Sequence, residues 1–255
     1  MEMETKKKTK VSIIMAAYNA EKTIGESIMS VINQTYTEWE LVIVNDSSTD
    51  NTVKIVNSFN DPRIHLINNE SNCGVSLTRK KGAEFATGDW IAVLDSDDQW
   101  INVKLEKQIE LAEREGVELG FTGSSFVKEN GESVDWELHV PESLTFKQLL
   151  KQNLISNSSA LVKRNLYLKY YAIGDNMHED FALWLGITKS GVIAHGIDEP
   201  LLIYRLSQNS KSGNKLKSAR MNWNTYRYVG LGIFKSFYYM LNYMWNGIMK
   251  YKHLK

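Results

Sequence analysis

The sequence predicts an α/β fold in which a mostly parallel central sheet is covered by helices on both faces. Three observations lead there: short β-branched runs alternate with stretches of helical periodicity, several of those runs are apolar throughout, and polar residues gather just beyond three of them. Val11-Ser-Ile-Ile-Met-Ala16 reads as the first strand, and residues 21–33 follow as a helix with Ile24, Ile28, Val31 and Ile32 along one stripe. The pattern repeats in Leu41-Val-Ile-Val44 with a helix over 50–59, in residues 64–67 with a helix over 75–86, and in Trp90-Ile-Ala-Val-Leu94. A further helix is expected over 103–114, after which shorter mixed segments run to about Pro200. The last forty residues are rich in Tyr, Trp, Met, Asn and Lys and read as a helical appendage starting near Lys215. The chain thus divides into a charged extension over 1–10, a main domain over 11–212 whose halves meet near residue 100, and an aromatic, basic extension over 213–255.

With 255 residues and 43% hydrophobic content the chain can bury one sizeable core. Thirty basic and thirty acidic side chains cancel, so no overall field favours nucleic acid, which is not expected as a partner. The lone Cys73 excludes an internal disulfide framework and a thiolate metal site, and it fits a reducing compartment. Residues 1–10 are charged and lack an apolar core, so they do not read as a secretory signal, and a cytoplasmic location is expected. The glycosylation sequons at Asn33, Asn69 and Asn157 are then chance matches.

Ligands of open α/β sheets settle beyond the carboxyl ends of the strands, here the loops after Ala16, Val44 and Leu94. The first loop carries Tyr18 and Asn19, the second runs from Asn45 to Asp50, and the third is Asp95-Ser-Asp-Asp98. Three carboxylates within four positions repel one another, and burial raises their pKa values further unless a cation is shared among them. A hard divalent ion, Mg²⁺ or Mn²⁺, suits such oxygens and keeps positions open for a diphosphate; the plain alternative is a solvated acidic turn capping the next helix. Asp46 can accept the N–H of a uracil ring and Tyr18 offers a flat face for stacking, although the same loop also reads as an ordinary turn into a helix N-cap. His178 and His195 have no spacing that defines a metal site.

Taken in order, Val11-Ser-Ile-Ile-Met-Ala-Ala-Tyr-Asn19, Val44-Asn-Asp-Ser-Ser-Thr-Asp50, Asn72-Cys-Gly-Val-Ser-Leu-Thr-Arg79 and Leu94-Asp-Ser-Asp-Asp-Gln-Trp100 resemble the signature of family 2 glycosyltransferases. The match covers about residues 10–115, and a weaker one continues through His178-Glu-Asp-Phe-Ala-Leu-Trp184 and Leu202-Ile-Tyr-Arg205 to about residue 212. The resemblance implies the GT-A fold, with a Rossmann-like sheet. It also implies inverting transfer of a hexose or N-acetylhexosamine from a nucleoside-diphosphate donor, a UDP-sugar, to a glycan or polyprenyl-linked acceptor in bacterial surface-polysaccharide synthesis.

By the same resemblance Ala16, Tyr18 and Asp46 hold the base, and Arg79 reaches the base or the phosphates. Asp95, Ser96, Asp97 and Asp98 serve the ribose and the metal, with Asp97 and Asp98 as the metal ligands. Asp180, beside Glu179, matches the catalytic base, and Arg205 matches a phosphate-binding position. The family commonly has Asp before Asp46 and Gly after it, where this chain has Asn45 and Ser47. Each role has a plain counterpart: acidic residues in a first helical turn complement the macrodipole, and an arginine forms surface salt bridges.

In the tail, Trp223, Tyr226, Phe234, Phe237, Tyr238, Leu241, Met244 and Trp245 are interrupted by Lys235, Asn242 and Asn246, short of the ~20 apolar residues of a spanning helix. Such a helix can lie peripherally on a membrane surface, with Lys250, Lys252 and Lys255 drawn to anionic lipid, or pack on the catalytic domain or on a second subunit of a homo-oligomer. Two rival functions stand beside the transferase. A nucleotidyltransferase would want a Gly-rich basic loop where the chain has Ala17-Tyr-Asn-Ala20, and a non-catalytic sugar-nucleotide-binding scaffold would not need both the acidic cluster and Asp180.

Overall fold

The structure is a computed structural model that describes residues 9–174, 176–206 and 215–250, the side chains of 215 and 247–250 excepted. Residues 1–8 of the charged extension and Lys252 and Lys255 of the tail lie outside the described residues, as does the side chain of Lys250.

Strands β1 (Val11–Ala17), β2 (Trp39–Asn45), β3 (Ile64–Asn68) and β4 (Trp90–Val93) alternate with helices α1 (Ile24–Ile32), α2 (Thr52–Val56) and α3 (Val75–Phe85). All four strands are parallel, in the order β3-β2-β1-β4. Their apolar runs feed two cores because successive side chains point to opposite faces: Ile14, Val42, Val44 and Val93 enter one, and Ile13, Met15, Leu41 and Ile43 the other. Helix α3 lies close on β1 and β2 through Gly82, where a Cβ would come within 2.8 Å of the Ile14 side chain. Helix α2 is shorter than the expected span of 50–59. The Asp50 carboxylate accepts the Thr52 N–H at its start, and Ser58 and Phe59 close tighter bonds to Ile55 and Val56 beyond its end.

The second half adds β5 (Gln99–Trp100), α4 (Lys104–Glu115), β6 (Leu119–Lys128), β7 (Ser133–Leu138), β8 (Ser143–Leu144), α5 (Phe146–Lys151), a 3-10 turn (Asn157–Ser159), β9 (Leu161–Lys163), α6 (Arg164–Tyr170), α7 (Glu179–Lys189) and β10 (Ala194–Leu206). The described residues form one ten-stranded sheet, β3-β2-β1-β4-β9-β6-β10-β5, with β7 on β6 and β8 on β10. Strand β9 runs antiparallel between β4 and β6, pairing Leu161 with Ala92, which sets the preceding 3-10 turn beyond the carboxyl end of β4. Strand β10 runs parallel to β6 and brings Arg205 to the same end.

The tail forms two helices, α8 (Lys215–Tyr228) and α9 (Ile233–Lys250), broken at Gly230, whose φ of 84° favours glycine. Helix α8 packs on α7 and is part of the core: Tyr226 is fully buried, meets Phe181 edge-on with ring centroids 6.0 Å apart, and donates its hydroxyl to Leu150 O at 2.8 Å. The inner face of α9, Tyr239, Met240 and Tyr243, packs against the same core. Of the alternatives open for the tail, packing on the main domain therefore holds for α8 and for one face of α9. Among the described residues no helix is long and apolar enough to cross a membrane.

Candidate active site

The loops after β1 and β2 interlock. Asn19 donates its N–H to Ser48 Oγ at 3.0 Å and accepts the Thr49 N–H at 2.8 Å, while Ala20 and Glu21 donate to Thr52 and Asp50. Asn19 and Ser47 both hold positive φ, 49° and 63°. The left-handed region explains why glycine is favoured at the Ser47 position, and the paired loop holds two side-chain-bearing residues there instead. Ala16 lies at the end of β1 in register with Val44, and Tyr18 projects beyond it with 52% of its surface exposed, free to stack.

Asp46 is only 3% exposed. Its Oδ1 accepts the Cys73 N–H at 3.0 Å and Asn69 Nδ2 at 2.8 Å, and its Oδ2 accepts the Gly74 N–H at 2.9 Å. Burial raises its pKa, but these donors together with the Cys73 thiol and Thr78 outweigh that and hold it below the ordinary carboxylate value. Asp46 thus ties β2 to the loop leading into α3, and Oδ2, with a single donor among the described residues, keeps an acceptor site.

Arg79, one turn before Gly82 on the inner side of α3, is buried and forks between two carboxylates: Nη1 donates to Glu179 Oε1 at 2.7 Å and Nη2 to Asp95 Oδ1. Burial works against its charge, and Asp95 and Glu179 more than restore it. The guanidinium therefore joins the end of β4 to the start of α7. Asp180, the residue after Glu179, is half-buried, with Glu179 and Arg79 as charged neighbours. Burial, then the neighbouring Glu179 charge, raises its pKa above the ordinary aspartate value. His178 precedes it at the N-cap, with its N–H on Thr225 Oγ1 at 3.1 Å and its Nε2 3.3 Å from Ser218 Oγ, so α8 fixes the start of α7.

The three aspartates of the acidic loop have different surroundings. Asp95 faces Arg79 and Asn157. Asp98 is 1% exposed; Oδ2 accepts the Ser158 hydroxyl at 2.6 Å and Oδ1 the Arg205 N–H at 3.0 Å, and burial followed by Asp97 and Asp95 pushes its pKa well up. Asp97 is part-exposed, no side chain among the described residues donates to its carboxylate, and burial followed by the Asp95 charge pushes it up to about 6. A carboxylate facing like charge with no side-chain donor among the described residues suits a divalent cation, and Asp97 is the member of the loop with that character. Among the described residues no three Asp, Glu, His or Cys side chains converge on one point, so other oxygens would have to complete the coordination. Ser96 contributes its carbonyl to the Thr23 hydroxyl at 2.8 Å.

Arg205, expected on a diphosphate, is occupied otherwise in this conformation. Nε donates to Asp97 O at 3.1 Å, Nη1 to Glu129 O at 3.4 Å and Nη2 to Glu26 Oε2 at 2.7 Å, and the residue is 8% exposed. It braces the acidic loop from β10. Sequence reasoning missed Ser158, whose hydroxyl accepts the Asp95 N–H at 3.1 Å as well as donating to Asp98, and whose carbonyl accepts the Trp100 indole N–H at 2.6 Å. No spacing marks it; the Asn157-Ser-Ser tripeptide reads only as a chance sequon.

Comparison with known proteins agrees with this geometry. The profile described as Glycosyl transferase family 2 matches residues 12–170. The Escherichia coli protein UDP-Glc:alpha-D-GlcNAc-diphosphoundecaprenol beta-1,3-glucosyltransferase WfgD is 37% identical over 243 residues, 94% of each chain. Among solved structures, S. aureus TarS 1–349 in complex with UDP-GlcNAc superposes with a TM-score of 0.74 at 18% identity, over 92% of this chain and 71% of that one. The mannosyltransferase PcManGT of Pyrobaculum calidifontis, in complex with GDP-Man and Mn²⁺, superposes with a TM-score of 0.70 at 18% identity, over 93% and 69%. Four ordered motifs around one acidic loop, parallel strands that present them beyond their carboxyl ends, and a relative alike over nearly the whole length agree: this chain belongs to glycosyl transferase family 2.

Proposed function

We propose that this enzyme is a metal-dependent, inverting transferase that moves a hexose or N-acetylhexosamine from a UDP-sugar to a lipid-linked glycan in bacterial surface-polysaccharide synthesis. The observation that carries the reading is the Arg79 fork, which joins Asp95 at the donor end of the sheet to Glu179 and so brings Asp180 to the acidic loop. The named reaction of WfgD and the UDP-GlcNAc complex of TarS support the donor and acceptor classes. Retention of both the acidic loop and a raised carboxyl at Asp180 speaks against a non-catalytic scaffold, and the absence of a Gly-rich basic loop after β1 speaks against a nucleotidyltransferase.

In this reading the uracil stacks on Tyr18 beside the end of β1 at Ala16, and its ring N–H meets Asp46 Oδ2. Asp95 and the Ser96 backbone lie toward the ribose. Asp97 would hold Mg²⁺ or Mn²⁺, which when bound neutralises negative charge on the departing diphosphate; the Mn²⁺ complex of PcManGT supports the same choice. Asp98 and Arg205 keep Asp97 in place. Asp180 accepts the proton of the acceptor hydroxyl as that oxygen bonds to the anomeric carbon and the bond from that carbon to the diphosphate oxygen breaks. One displacement inverts the centre. The raised pKa of Asp180 makes it a stronger base than an ordinary aspartate.

Asp180→Asn tests the assignment. Transfer should fall by on the order of 10²–10⁴-fold, the usual contribution of a general base, with UDP-sugar affinity by calorimetry nearly unchanged. Donor affinity that collapses together with activity would place Asp180 in the donor site instead.

A further inference from the structure

The outer face of α9 carries an apolar stripe that the fold leaves uncovered. Phe234, Phe237, Tyr238, Leu241, Met244 and Trp245 follow one another at helical spacing, each more than half exposed, with Phe234 at 92%. This is not the core face of the helix, because Ser236, Tyr239, Met240 and Tyr243 already fill that role. A continuous stripe of this length on a folded surface marks a contact site.

Charge says what the contact is. Residues 200–255 hold ten Lys and Arg and no Asp or Glu, whereas the first 199 hold twenty basic and thirty acidic residues, so a neutral protein is strongly polarised toward its tail. Where α9 begins, it meets α5 across a cleft of about 490 Å³ with Phe146, Leu150, Leu231 and Tyr238 in its wall and Lys147, Lys189 and Lys235 at its rim. An apolar stripe with aromatic side chains, with Lys147, Lys189 and Lys235 beside its first turns, fits the boundary between anionic headgroups and acyl chains. A second copy fits poorly, since a two-fold contact would set this basic surface against itself.

We propose that the outer face of α9 is a docking surface for an anionic lipid bilayer. The aromatic and aliphatic side chains enter the headgroup layer, these lysines meet lipid phosphates, and the helix lies in the membrane plane. The inference rests on this surface alone and is independent of the assignment of Asp180.

The test is sedimentation of the full chain with vesicles of phosphatidylcholine alone and of phosphatidylcholine mixed with phosphatidylglycerol. The protein should sediment with the mixed vesicles, bind them less as ionic strength rises, and stay largely in solution with phosphatidylcholine alone. Phe234→Ser combined with Phe237→Ser and Trp245→Ser removes exposed side chains only. It should leave circular dichroism and melting unchanged while lowering the partition coefficient roughly a hundredfold through lost apolar insertion. Wild-type protein that stays in solution with the mixed vesicles would overturn the proposal, as would a triple variant that binds them equally well. A wild-type dimer in analytical ultracentrifugation that the triple substitution dissociates would assign the stripe to a second copy and overturn it too. Transfer to a water-soluble acceptor should be alike in both proteins, so failure of the docking idea and failure of the catalytic reading remain separate results.

Discussion

The fork of Arg79 between Asp95 and Glu179 makes a quantitative test of how the two halves are joined. Nη1 and Oε1 lie 2.7 Å apart, with the side chains 9% and 6% exposed. At an effective dielectric constant of about 20, such a pair attracts by on the order of 6 kcal/mol before the cost of removing both charges from water is subtracted. Removing one partner takes a countercharge from the other at a place largely closed to water. Arg79→Met takes the guanidinium from two carboxylates at once and should destabilise by about 5 kcal/mol, whereas Glu179→Leu leaves Arg79 its Asp95 partner and should cost about 3 kcal/mol. The double variant no longer buries the Glu179 charge, so it should be more stable than the sum of the single losses predicts, with a coupling of about 2 kcal/mol or more. Urea unfolding of the four proteins, with slopes compared to confirm like transitions, measures this directly. A coupling within about 0.5 kcal/mol of zero would mean that α7 is held to the sheet by its apolar face alone, and the fork would lose its place in the argument.

Asp97→Ala should abolish Mn²⁺ stimulation of transfer and lower kcat/KM by about a hundredfold or more, and it should also remove the Mn²⁺-dependent part of the thermal shift caused by UDP; a variant that keeps that shift would move the cation elsewhere. Glu40, beneath the amino ends of β1 and β2, tests the opposite end of the sheet. Burial alone would raise its pKa, but Lys10, the Ser12 hydroxyl at 2.6 Å and the Thr87 N–H at 2.7 Å bring it down from 4.5 to about 2. Since the folded-state value is the lower one, its stabilisation is complete above pH 4.5 and is lost as pH falls toward about 2, a change of roughly 3 kcal/mol. Denaturant unfolding between neutral and acid pH should show this component in the wild type and not in Glu40→Gln, and equal pH slopes would refute it.

Strands β1 to β4 were legible because strands buried on both faces carry apolar residues at most positions: all seven residues of β2 are buried and five of them are apolar. The acidic loop was legible because three carboxylates in four positions need a reason. The braces around it were not. Ser158 sits in a three-residue 3-10 turn, β9 has three residues and β5 two, and segments this short have no period to detect. The setting of Arg205 depends on a carbonyl at Glu129 and a carboxylate on α1, contacts that exist only after the chain closes on itself. The tail was read as helical, but the division at Gly230 and the burial of Tyr226 came from tertiary packing, since an aromatic-rich run gives no sign of which ring faces inward.

That β9 wedges between β4 and β6 bears on how the enzyme comes into being. The strand next to β4 is supplied by residues some seventy positions further on, and the last brace of the acidic loop arrives with Arg205, more than a hundred residues after Asp98. A nascent chain that has emerged through residue 115 would own every recognisable donor motif yet lack the partners that orient them. Contacts this distant in sequence slow folding, and an uncovered β4 edge is meanwhile open to strangers. Competence for the donor should therefore appear late and in one step during synthesis, when the strand carrying Arg205 closes the sheet.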